Sequence, residues 1–273
     1  MEENQVLLEC RGIYKSFGKN KVLQNINLRV RKGEVHALLG QNGAGKSTLV
    51  KIITGVYSMN AGEIFMDGEP VRINSPKDSE NAGISIIHQD QQLVPFFDVT
   101  RNAFLGSEIR GKGGKLNFKK MKELVDEKLK LIESDFTSDQ QISSLSVGQR
   151  EQVAIVTALL QNPKLLILDE PTASLSSREI EKLFEVIGKL KKEGVTVIYI
   201  SHHLDEIFRI TDSITVLRDS RMQGTFSTES ISRKDVVSLM IGKELKDFYP
   251  KEEAVIGDTV LEVEDVYSGT LVK

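Results

Sequence analysis

A glycine-rich segment near the start of the chain has the residue types needed to hold the phosphates of a nucleoside triphosphate. It follows the strand-like run 35–39 and continues into a helical stretch, 48–54. Glycines let successive backbone N–H groups turn towards one anion, and the N-terminus of the next helix adds its dipole. Lys46 would neutralise the β- and γ-phosphates, and the Ser47 hydroxyl would ligate Mg²⁺. The predicted phosphate-binding residues are Gly40, Gln41, Asn42, Gly43, Ala44, Gly45, Lys46, Ser47 and Thr48.

A second apolar run, 165–168, ends in two adjacent carboxylates, Asp169 and Glu170. Neighbouring side chains of a strand point to opposite faces, so the two carboxylates cannot have the same role. Asp169 suits the coordination shell of the magnesium ion, and Glu170 could polarise the water that attacks the γ-phosphate. Runs of this kind are common in proteins, so the interpretation depends on the phosphate loop upstream.

The elements that must position these residues alternate along the chain. Short β-branched runs follow amphipathic helical stretches, which predicts an α/β sheet with crossover helices. The clearest helix, 176–192, has a capping box of Ser176 and Glu179 at its start, and the strand 195–200 follows it. Upstream, the segment 64–71 predicts a hairpin that turns at an Asp-Gly pair. Between 92 and 144 strand signals fade, which predicts a helical insertion into the α/β core.

Within that insertion, the segment 118–132 predicts a helix with one apolar face. Its lysines alternate with acidic residues, as is typical of a solvated helix surface. The predicted buried residues are Phe118, Met121, Leu124, Val125 and Ile132.

Composition argues against several classes of protein. The chain has 36 Lys and Arg against 39 Asp and Glu, so it lacks the basic footprint of a nucleic-acid-binding protein. The single cysteine, Cys10, excludes an internal disulfide framework and is predicted to be a buried strand residue. The N-terminus is acidic, unlike a secretory signal, and the apolar runs fall short of the ~20 residues of a membrane helix. Any membrane role is therefore predicted to be peripheral.

A third motif, Leu-Ser-Val-Gly-Gln at 145–149, begins a predicted helix, and Ser201-His202 follows the strand 195–200. With the phosphate loop and the Asp-Glu strand, these motifs resemble the nucleotide-binding domain of ATP-binding cassette (ABC) transporters. The segments 83–90, 199–203 and 242–245 are similar, more closely, to the ATPases of bacterial monosaccharide importers of the ribose, xylose and galactose type. The resemblance covers nearly the whole chain. It implies a P-loop NTPase fold with a RecA-like core, an N-terminal antiparallel β subdomain and an inserted α-helical subdomain.

The resemblance also implies roles for single residues. Phe17 is expected to stack on adenine, with core packing as the alternative. Gln89 is expected to contact Mg²⁺ and water, and His202 to contact the γ-phosphate. The other histidines, His36, His88 and His203, match no catalytic position and are expected to be structural.

The Leu-Ser-Val-Gly-Gln motif is expected to serve a nucleotide held by an opposing domain. Ser146, Gly148 and Gln149 would meet its γ-phosphate at the helix N-terminus. Ser146 and Gln149 also have the spacing of a capping box. Two residues depart from the family pattern: Val147 replaces the first glycine of Leu-Ser-Gly-Gly-Gln, and Ser176 replaces an aspartate that usually couples the two sites.

The function that the resemblance implies is ATP hydrolysis that energises a bacterial importer of a monosaccharide such as ribose, xylose or galactose. The expected cofactors are ATP and Mg²⁺. The expected partners are a second ABC domain or a second copy, permease subunits and, indirectly, a periplasmic or extracellular sugar-binding protein, with no nucleic acid. The expected location is the cytoplasmic face of the membrane, with an isolated fragment soluble.

Two other functions stay open. A soluble tandem-cassette ATPase acting on ribosomes or nucleic acid typically reads Glu-Pro-Thr-Asn-His-Leu-Asp where this chain has Glu-Pro-Thr-Ala-Ser-Leu-Ser at 170–176, and it carries a long charged linker. A regulatory nucleotide-binding module that hydrolyses little would not need both Glu170 and His202.

A weak internal repeat bears on the domain organisation, because the segment 8–14 resembles 261–267. We predict one ABC domain at 1–245 with its helical subdomain at about 92–148, a linker at 246–258, and the truncated start of a second ABC domain at 259–273. The chain is then expected to be the N-terminal part of a protein about twice as long.

Overall fold

The computed structural model describes residues 5–88, 93–242, 262 and 264 of the chain. Gln89 lies outside the described residues, so its contacts with Mg²⁺ and water stay a prediction.

The chain divides into two units, Met1–Gly242 and Lys243–Lys273. The predicted linker, 246–258, lies outside the described residues, and so does the predicted second-domain segment, 259–273, apart from the two single positions.

The elements of the first unit follow the patterns in the sequence closely. The predicted helix 176–192 is observed as Ser177–Lys192, and its capping box of Ser176 and Glu179 is confirmed. The strands are β1 (Val6–Phe17), β2 (Asn20–Arg31), β3 (Val35–Gly40), β4 (Ala61–Met66), β5 (Glu69–Val71), β6 (Ile84–Ile87), β7 (Leu165–Asp169), β8 (Thr196–Ile200), β9 (Ser213–Arg218) and β10 (Arg221–Ser227). The helices are α1 (Lys46–Ile53), α2 (Pro76–Asn81), α3 (Val99–Ala103), α4 (Phe118–Leu131), α5 (Val147–Leu159), α6 (Ser177–Lys192), α7 (Leu204–Ile210) and α8 (Arg233–Ile241).

A four-stranded antiparallel sheet has the order β2-β1-β4-β5. Its predicted β4–β5 hairpin is confirmed, and the turn residues Asp67 and Gly68 have φ values of 54° and 83°. Both positive values fit the two-residue turn that matches strand twist. Cys10 is buried in β1, as expected.

The second sheet has six strands in the order β10-β9-β3-β8-β7-β6. All neighbours pair in parallel except β10, which is antiparallel to β9. Because parallel strands end at the same edge, the carboxyl ends of β3, β7 and β8 lie side by side. These ends lead into the phosphate loop, the Asp169-Glu170 pair and the Ser201-His202 pair respectively.

This sheet separates two apolar clusters. Val35, Ala37 and Leu39 of β3 belong to the cluster shared with α4, α5 and α6, whereas Leu38 belongs to the cluster shared with β1, β2 and α1. A sheet buried on both faces needs continuous apolar strands, which explains the unbroken runs in the sequence. Among the described helices, none has the length and apolar character to cross a bilayer.

Helix α4 packs through Met121, Val125 and Leu129. The prediction that Phe118 is buried is wrong, because this side chain is 46% exposed. Phe118 lies in the first turn, beyond the packed part of the helix, and the Arg101 guanidinium lies 5.6 Å from the centre of its ring. Leu124 is only half-buried, at the border of the packed face.

Candidate functional site

The glycine-rich loop after β3 has backbone angles that few other residues adopt. Gly40, Gly43 and Gly45 have φ values of 156°, 83° and 109°. A Cβ atom on Gly40 would lie 2.4 Å from the carbonyl oxygen of Leu217, and one on Gly45 would lie 2.9 Å from the carbonyl oxygen of Val22. Glycine is therefore required at both positions. Because Gly45 has no side chain with which to cap α1, the first N–H groups of this helix suit an anion.

Lys46 begins α1 and turns back over the loop. Its Nζ atom donates hydrogen bonds to the carbonyl oxygens of Gly40, at 2.6 Å, and Gln41, at 3.2 Å. Burial lowers the pKa of Lys46, and the charges of Glu170 and Asp169 act in the opposite direction. The lysine and the two carboxylates therefore share one electrostatic environment. Asn42 and Ser47 are exposed, Thr48 is half-buried and Ala44 is buried.

The Asp-Glu pair stands at the end of β7, where both side chains are half-buried. Burial raises the pKa of Asp169, and so does Glu170, while His88, Lys46 and Lys51 lower it. His88 is exposed, and its effect on Asp169 places it in the electrostatic surroundings of the site.

Glu170 and His202 follow different strands and meet in the structure. Nδ1 of His202 lies 3.4 Å from Oε2 of Glu170. The backbone N–H of Glu170 donates to the carbonyl oxygen of Ile200 at 2.9 Å, which joins the loop after β7 to the end of β8. The ring of His203 lies next to that of His202, with 4.1 Å between centroids and 40° between the ring planes. Two of the residues predicted to act on the γ-phosphate thus lie in contact.

Phe17 ends β1 and is 45% exposed, so the alternative of core packing does not hold. Its ring meets Tyr57 edge to face, with 5.2 Å between centroids, and Nζ of Lys15 lies 4.9 Å from the centre of the ring. The strand that follows Phe17 returns past the phosphate loop, where Leu23 approaches Gly45. An exposed aromatic ring in this position suits stacking on a nucleotide base. Tyr57 has no signal in the sequence that links it to Phe17.

The Ser146 motif forms a capping box at the N-terminus of α5, as predicted. Ser146 N donates to Oε1 of Gln149 at 2.9 Å, and Gln149 N donates to Oγ of Ser146 at 3.2 Å. Nε2 of Gln149 donates to Asp135 at 2.9 Å. Val147, the departure from the family pattern, is exposed.

Glu179, on α6, binds the same helix N-terminus. Its Oε1 atom accepts hydrogen bonds from Ser146 Oγ and from Gly148 N, both at 2.9 Å. A Cβ on Gly148 would lie 2.6 Å from Cγ of Glu179, so this contact requires glycine. The sequence indicates Glu179 as the cap of α6 and contains no signal for its contact with α5.

The second oxygen of Glu179 explains the other departure from the family pattern. Oε2 accepts from Ser176 N at 3.0 Å and from Ser176 Oγ at 2.7 Å. Together with Gly148 and Ser146, these donors lower the pKa of Glu179 to about 2. An aspartate at 176 would bring a second carboxylate against Glu179, whereas Ser176 supplies a donor.

The predicted site residues therefore form two groups. Lys46, Asp169, Glu170 and His202 meet at the carboxyl edge of the six-stranded sheet. Ser146, Gly148 and Gln149 form the second group and, apart from the capping box, make hydrogen bonds to Glu179 and Asp135.

Three donors are predicted for a metal ion, and two of them, the Ser47 hydroxyl and the Asp169 carboxylate, belong to the described residues, whereas Gln89 does not. Within the described ranges, no three His, Cys, Asp or Glu side chains form a cluster that could hold a metal by themselves. Mg²⁺ prefers oxygen ligands and is usually held through one or two protein groups, water and substrate phosphates. The donor set fits that ion.

Comparisons with known proteins agree with this geometry. The family profile described as "ABC transporter" matches residues 23–173, more than half of the chain. The ribose import ATP-binding protein RbsA of Bacillus subtilis is 43% identical over 258 residues, which cover 94% of this chain and 52% of that protein. The protein of the same name from Lactococcus lactis subsp. cremoris is 44% identical over 259 residues, 95% of this chain and 53% of that protein. The chain thus spans about half the length of the curated relatives it matches.

Solved structures show the same fold. A nucleotide-free ATP-binding cassette from an ABC transporter superposes with a TM-score of 0.76 at 26% identity, over 87% of this chain and 100% of that chain. A dimeric post-hydrolysis state of the cassette MJ0796, bound to ADP and Pi, gives 0.68 at 25% identity, over 82% and 100%. The expected P-loop NTPase fold is therefore confirmed. On the family profile, the identity to its relatives and the phosphate loop beside Glu170 and His202, the chain belongs to the ABC transporter family.

Proposed function

We propose that this chain binds and hydrolyses ATP to energise a bacterial importer of a monosaccharide. The observation that carries the proposal is the meeting of Lys46, Asp169, Glu170 and His202 at one edge of the parallel sheet. The relatives named for ribose import, 43–44% identical, support ribose as the first sugar to test, with xylose and galactose as the next.

The phosphate loop would hold the triphosphate through its backbone N–H groups and Lys46, which is near enough to exchange its bonds with Gly40 and Gln41 for phosphate oxygens. Phe17 would stack on the base. Ser47 and Asp169, with Gln89 as a further proposed ligand, would hold Mg²⁺, which when bound neutralises charge on the β- and γ-phosphate oxygens.

Glu170 would accept the proton of the attacking water, because it is a half-buried carboxylate at the end of the strand that also carries Asp169. His202 lies close enough to hold the Glu170 carboxylate and is exposed enough to reach the γ-phosphate. The two side chains come from different loops, so their relative position depends on whatever holds those loops together.

The Ser146 group would act on a nucleotide held by a second cassette, either from the same full-length protein or from a second copy. The N-terminus of α5 and the Ser146 hydroxyl are donors to an anion. They already bind the Glu179 carboxylate, so a phosphate would have to replace or share this partner. Permease subunits would respond to nucleotide binding and hydrolysis by the cassettes at the cytoplasmic face of the membrane. A sugar-binding protein would act through these permease subunits.

The decisive experiment measures ATP hydrolysis by the full-length protein in proteoliposomes with its permease subunits. A binding protein loaded in turn with ribose, xylose or galactose is added. We expect stimulation by at least one sugar. Hydrolysis that responds to ribosomes and to none of these sugars would contradict the importer and favour the soluble alternative.

Lys46→Ala tests the nucleotide site in the same preparation. Because hydrogen bonds to charged groups contribute about 1.5–3 kcal/mol, we expect ATP affinity to fall about 10- to 100-fold. Lys192→Ala, at the exposed end of α6, is the matched control and should leave the affinity unchanged. Equal affinities for the two variants would contradict the phosphate-loop assignment.

A further inference from the structure

A buried glutamate that the proposed mechanism does not use makes hydrogen bonds to the loops that carry Glu170 and His202. Glu206 is in the first turn of α7 and is 8% exposed. One of its oxygens, Oε2, accepts hydrogen bonds from three hydroxyl groups: Tyr199 at 2.8 Å, Ser201 at 2.8 Å and Thr172 at 3.0 Å. All three donors are buried. Three O–H donors that converge on one oxygen match a carboxylate, which only accepts.

Two of these donors belong to the loops that carry the proposed catalytic groups. Thr172 is two residues after Glu170, and Ser201 immediately precedes His202. Ser201 Oγ also accepts a hydrogen bond from the backbone N–H of His203 at 3.0 Å, so the chain is held on both sides of His202. A single oxygen atom of Glu206 therefore connects the two loops.

The backbone of Glu170 shows why such a connection is needed. Its φ of 50° lies in the left-handed region, which residues other than glycine rarely adopt. Residues in this region are strained and persist only where the surroundings over-determine them. The bond from Glu170 N to Ile200 restrains the residue on one side. The bond from Thr172 to Glu206 restrains the turn on the other.

We propose that Glu206 is a positioning residue for ATP hydrolysis: its carboxylate holds the loop of Glu170 and the loop of His202 in register, so that the two side chains stay in contact. This inference rests on the proposed function, because it needs Glu170 and His202 to act on the γ-phosphate. Within the part of the chain that the structure describes, Glu206 hydrogen-bonds to Thr172, Tyr199 and Ser201 and to none of the residues proposed to bind the nucleotide. Its loss should therefore lower kcat and leave nucleotide binding intact.

The experiment compares Glu206→Gln with Glu34→Gln in the full-length protein with its permease subunits. Glu34 is a matched control, because it is 7% exposed and accepts bonds from Ser213 Oγ and Arg31 N at the opposite end of the same sheet. Steady-state ATP hydrolysis, affinity for a fluorescent ATP analogue and melting temperature are measured. We expect Glu206→Gln to lower kcat several-fold with unchanged nucleotide affinity, because its amide oxygen can take the place of Oε2 but accepts the three hydroxyl hydrogen bonds more weakly than a carboxylate does. Glu34→Gln should lower only the melting temperature.

A kcat for Glu206→Gln equal to that of Glu34→Gln would overturn the inference. So would a loss of nucleotide affinity in proportion to the loss of turnover, because it would indicate general damage to the site. If Glu170→Gln hydrolyses ATP like the wild-type protein, the proposed function is contradicted. This inference is then contradicted as well, because it rests on that function. An inactive Glu170→Gln beside an unaffected Glu206→Gln contradicts this inference alone.

Smaller changes keep the test valid if Glu206→Gln does not fold. Thr172→Val and Ser201→Ala each remove one donor from a catalytic loop, and each should lower kcat several-fold. Tyr199→Phe removes a donor from within β8, so both loop contacts remain and kcat should change least. Equal kcat values for all three variants and the wild-type protein would overturn the inference.

Discussion

The two ends of the six-stranded sheet each contain a buried glutamate, and these glutamates hold different kinds of structure. At the amino end, Glu34 accepts bonds from Arg31 N and Ser213 Oγ, and Nδ1 of His36 lies 2.9 Å from its Oε1. At the carboxyl end, Glu206 binds hydroxyl groups beside Glu170 and His202. At each end, one carboxylate accepts hydrogen bonds from several donors. Glu34 joins strands at the amino end, and Glu206 joins loops at the carboxyl end.

The surroundings explain the difference. At the amino end, the histidine beside the glutamate is inaccessible, since the ring of His36 is fully buried and its Nε2 lies 2.8 Å from Oγ1 of Thr215. Burial raises the pKa of Glu34, but His36 and the hydrogen bonds from Arg31 N and Ser213 Oγ together outweigh burial, so the pKa is lowered overall. At the carboxyl end, His202 is exposed and Glu170 has a strained backbone. Buried hydrogen bonding stabilises both ends, but only the carboxyl end presents reactive groups to a ligand.

The largest effect should come from Glu170→Gln, which removes the proposed base from the carboxyl end. We expect kcat to fall by about 10²- to 10⁴-fold, the usual contribution of general base catalysis. ATP affinity should be retained, because glutamine has nearly the same shape. Hydrolysis and equilibrium ATP binding are measured side by side, with the exposed Glu185→Gln of α6 as control. A kcat for Glu170→Gln equal to that of Glu185→Gln would contradict the proposed role of Glu170 as the base.

Glu34→Gln changes the amino end and should have an intermediate effect of a different kind. Its amide has one oxygen acceptor where the carboxylate has two, so the bonds from Arg31 N and Ser213 Oγ cannot both be kept as they are, and we expect the free energy of unfolding to fall by about 1–3 kcal/mol. Urea denaturation followed by circular dichroism measures this loss. The kcat per folded molecule should not change. A drop in kcat without a loss of stability would show that the two ends do not divide their roles in this way.

Substitution of Glu179 should give the smallest effect. It tests whether a half-buried carboxylate can also join two elements, here the helices α5 and α6. Its pKa in the folded protein is about 2, against an ordinary value of 4.5. A carboxylate whose pKa is lowered on folding stabilises the folded state at pH values above its ordinary pKa. This contribution is lost as the pH falls from about 4.5 towards 2. We therefore expect Glu179→Gln to melt below the wild-type protein at pH 7.

That difference should narrow as the pH falls below about 4.5. Glu9, whose pKa is also lowered to about 2 by Arg11 and Arg29, is present in both proteins and cancels in the comparison. Melting curves at a series of pH values measure the difference. A difference that does not depend on pH would mean that the charge of Glu179 does not stabilise the contact between α5 and α6.

Local patterns in the sequence predicted the secondary structure well, because they depend on neighbouring residues. The capping boxes at Ser146 and Ser176 and the Asp67-Gly68 hairpin have signals within a few residues of one another. The burial of Phe118 was predicted wrongly because helical spacing identifies a face of α4 but not where its packed region ends.

Contacts between distant segments could not be predicted in the same way. Thr172 and Glu206 are 34 residues apart, and Ser146 and Glu179 are 33 apart, with no period or motif that joins them. Phe17 and Tyr57 likewise meet only when β1 and the segment after α1 fold together.

The sequence by itself determined the chemistry of this protein: a loop shaped for phosphates, an Asp-Glu pair after a buried strand and a histidine after the next strand. These follow from residue type and local spacing, because glycine conformations, helix caps and strand burial are short-range properties. Only the tertiary structure decided that Glu170 and His202 touch, that Glu206 holds both loops and that Glu179 occupies the N-terminus of α5. A parallel sheet brings together the ends of strands that are far apart in the sequence. The order of its strands cannot be predicted from any single segment of the chain.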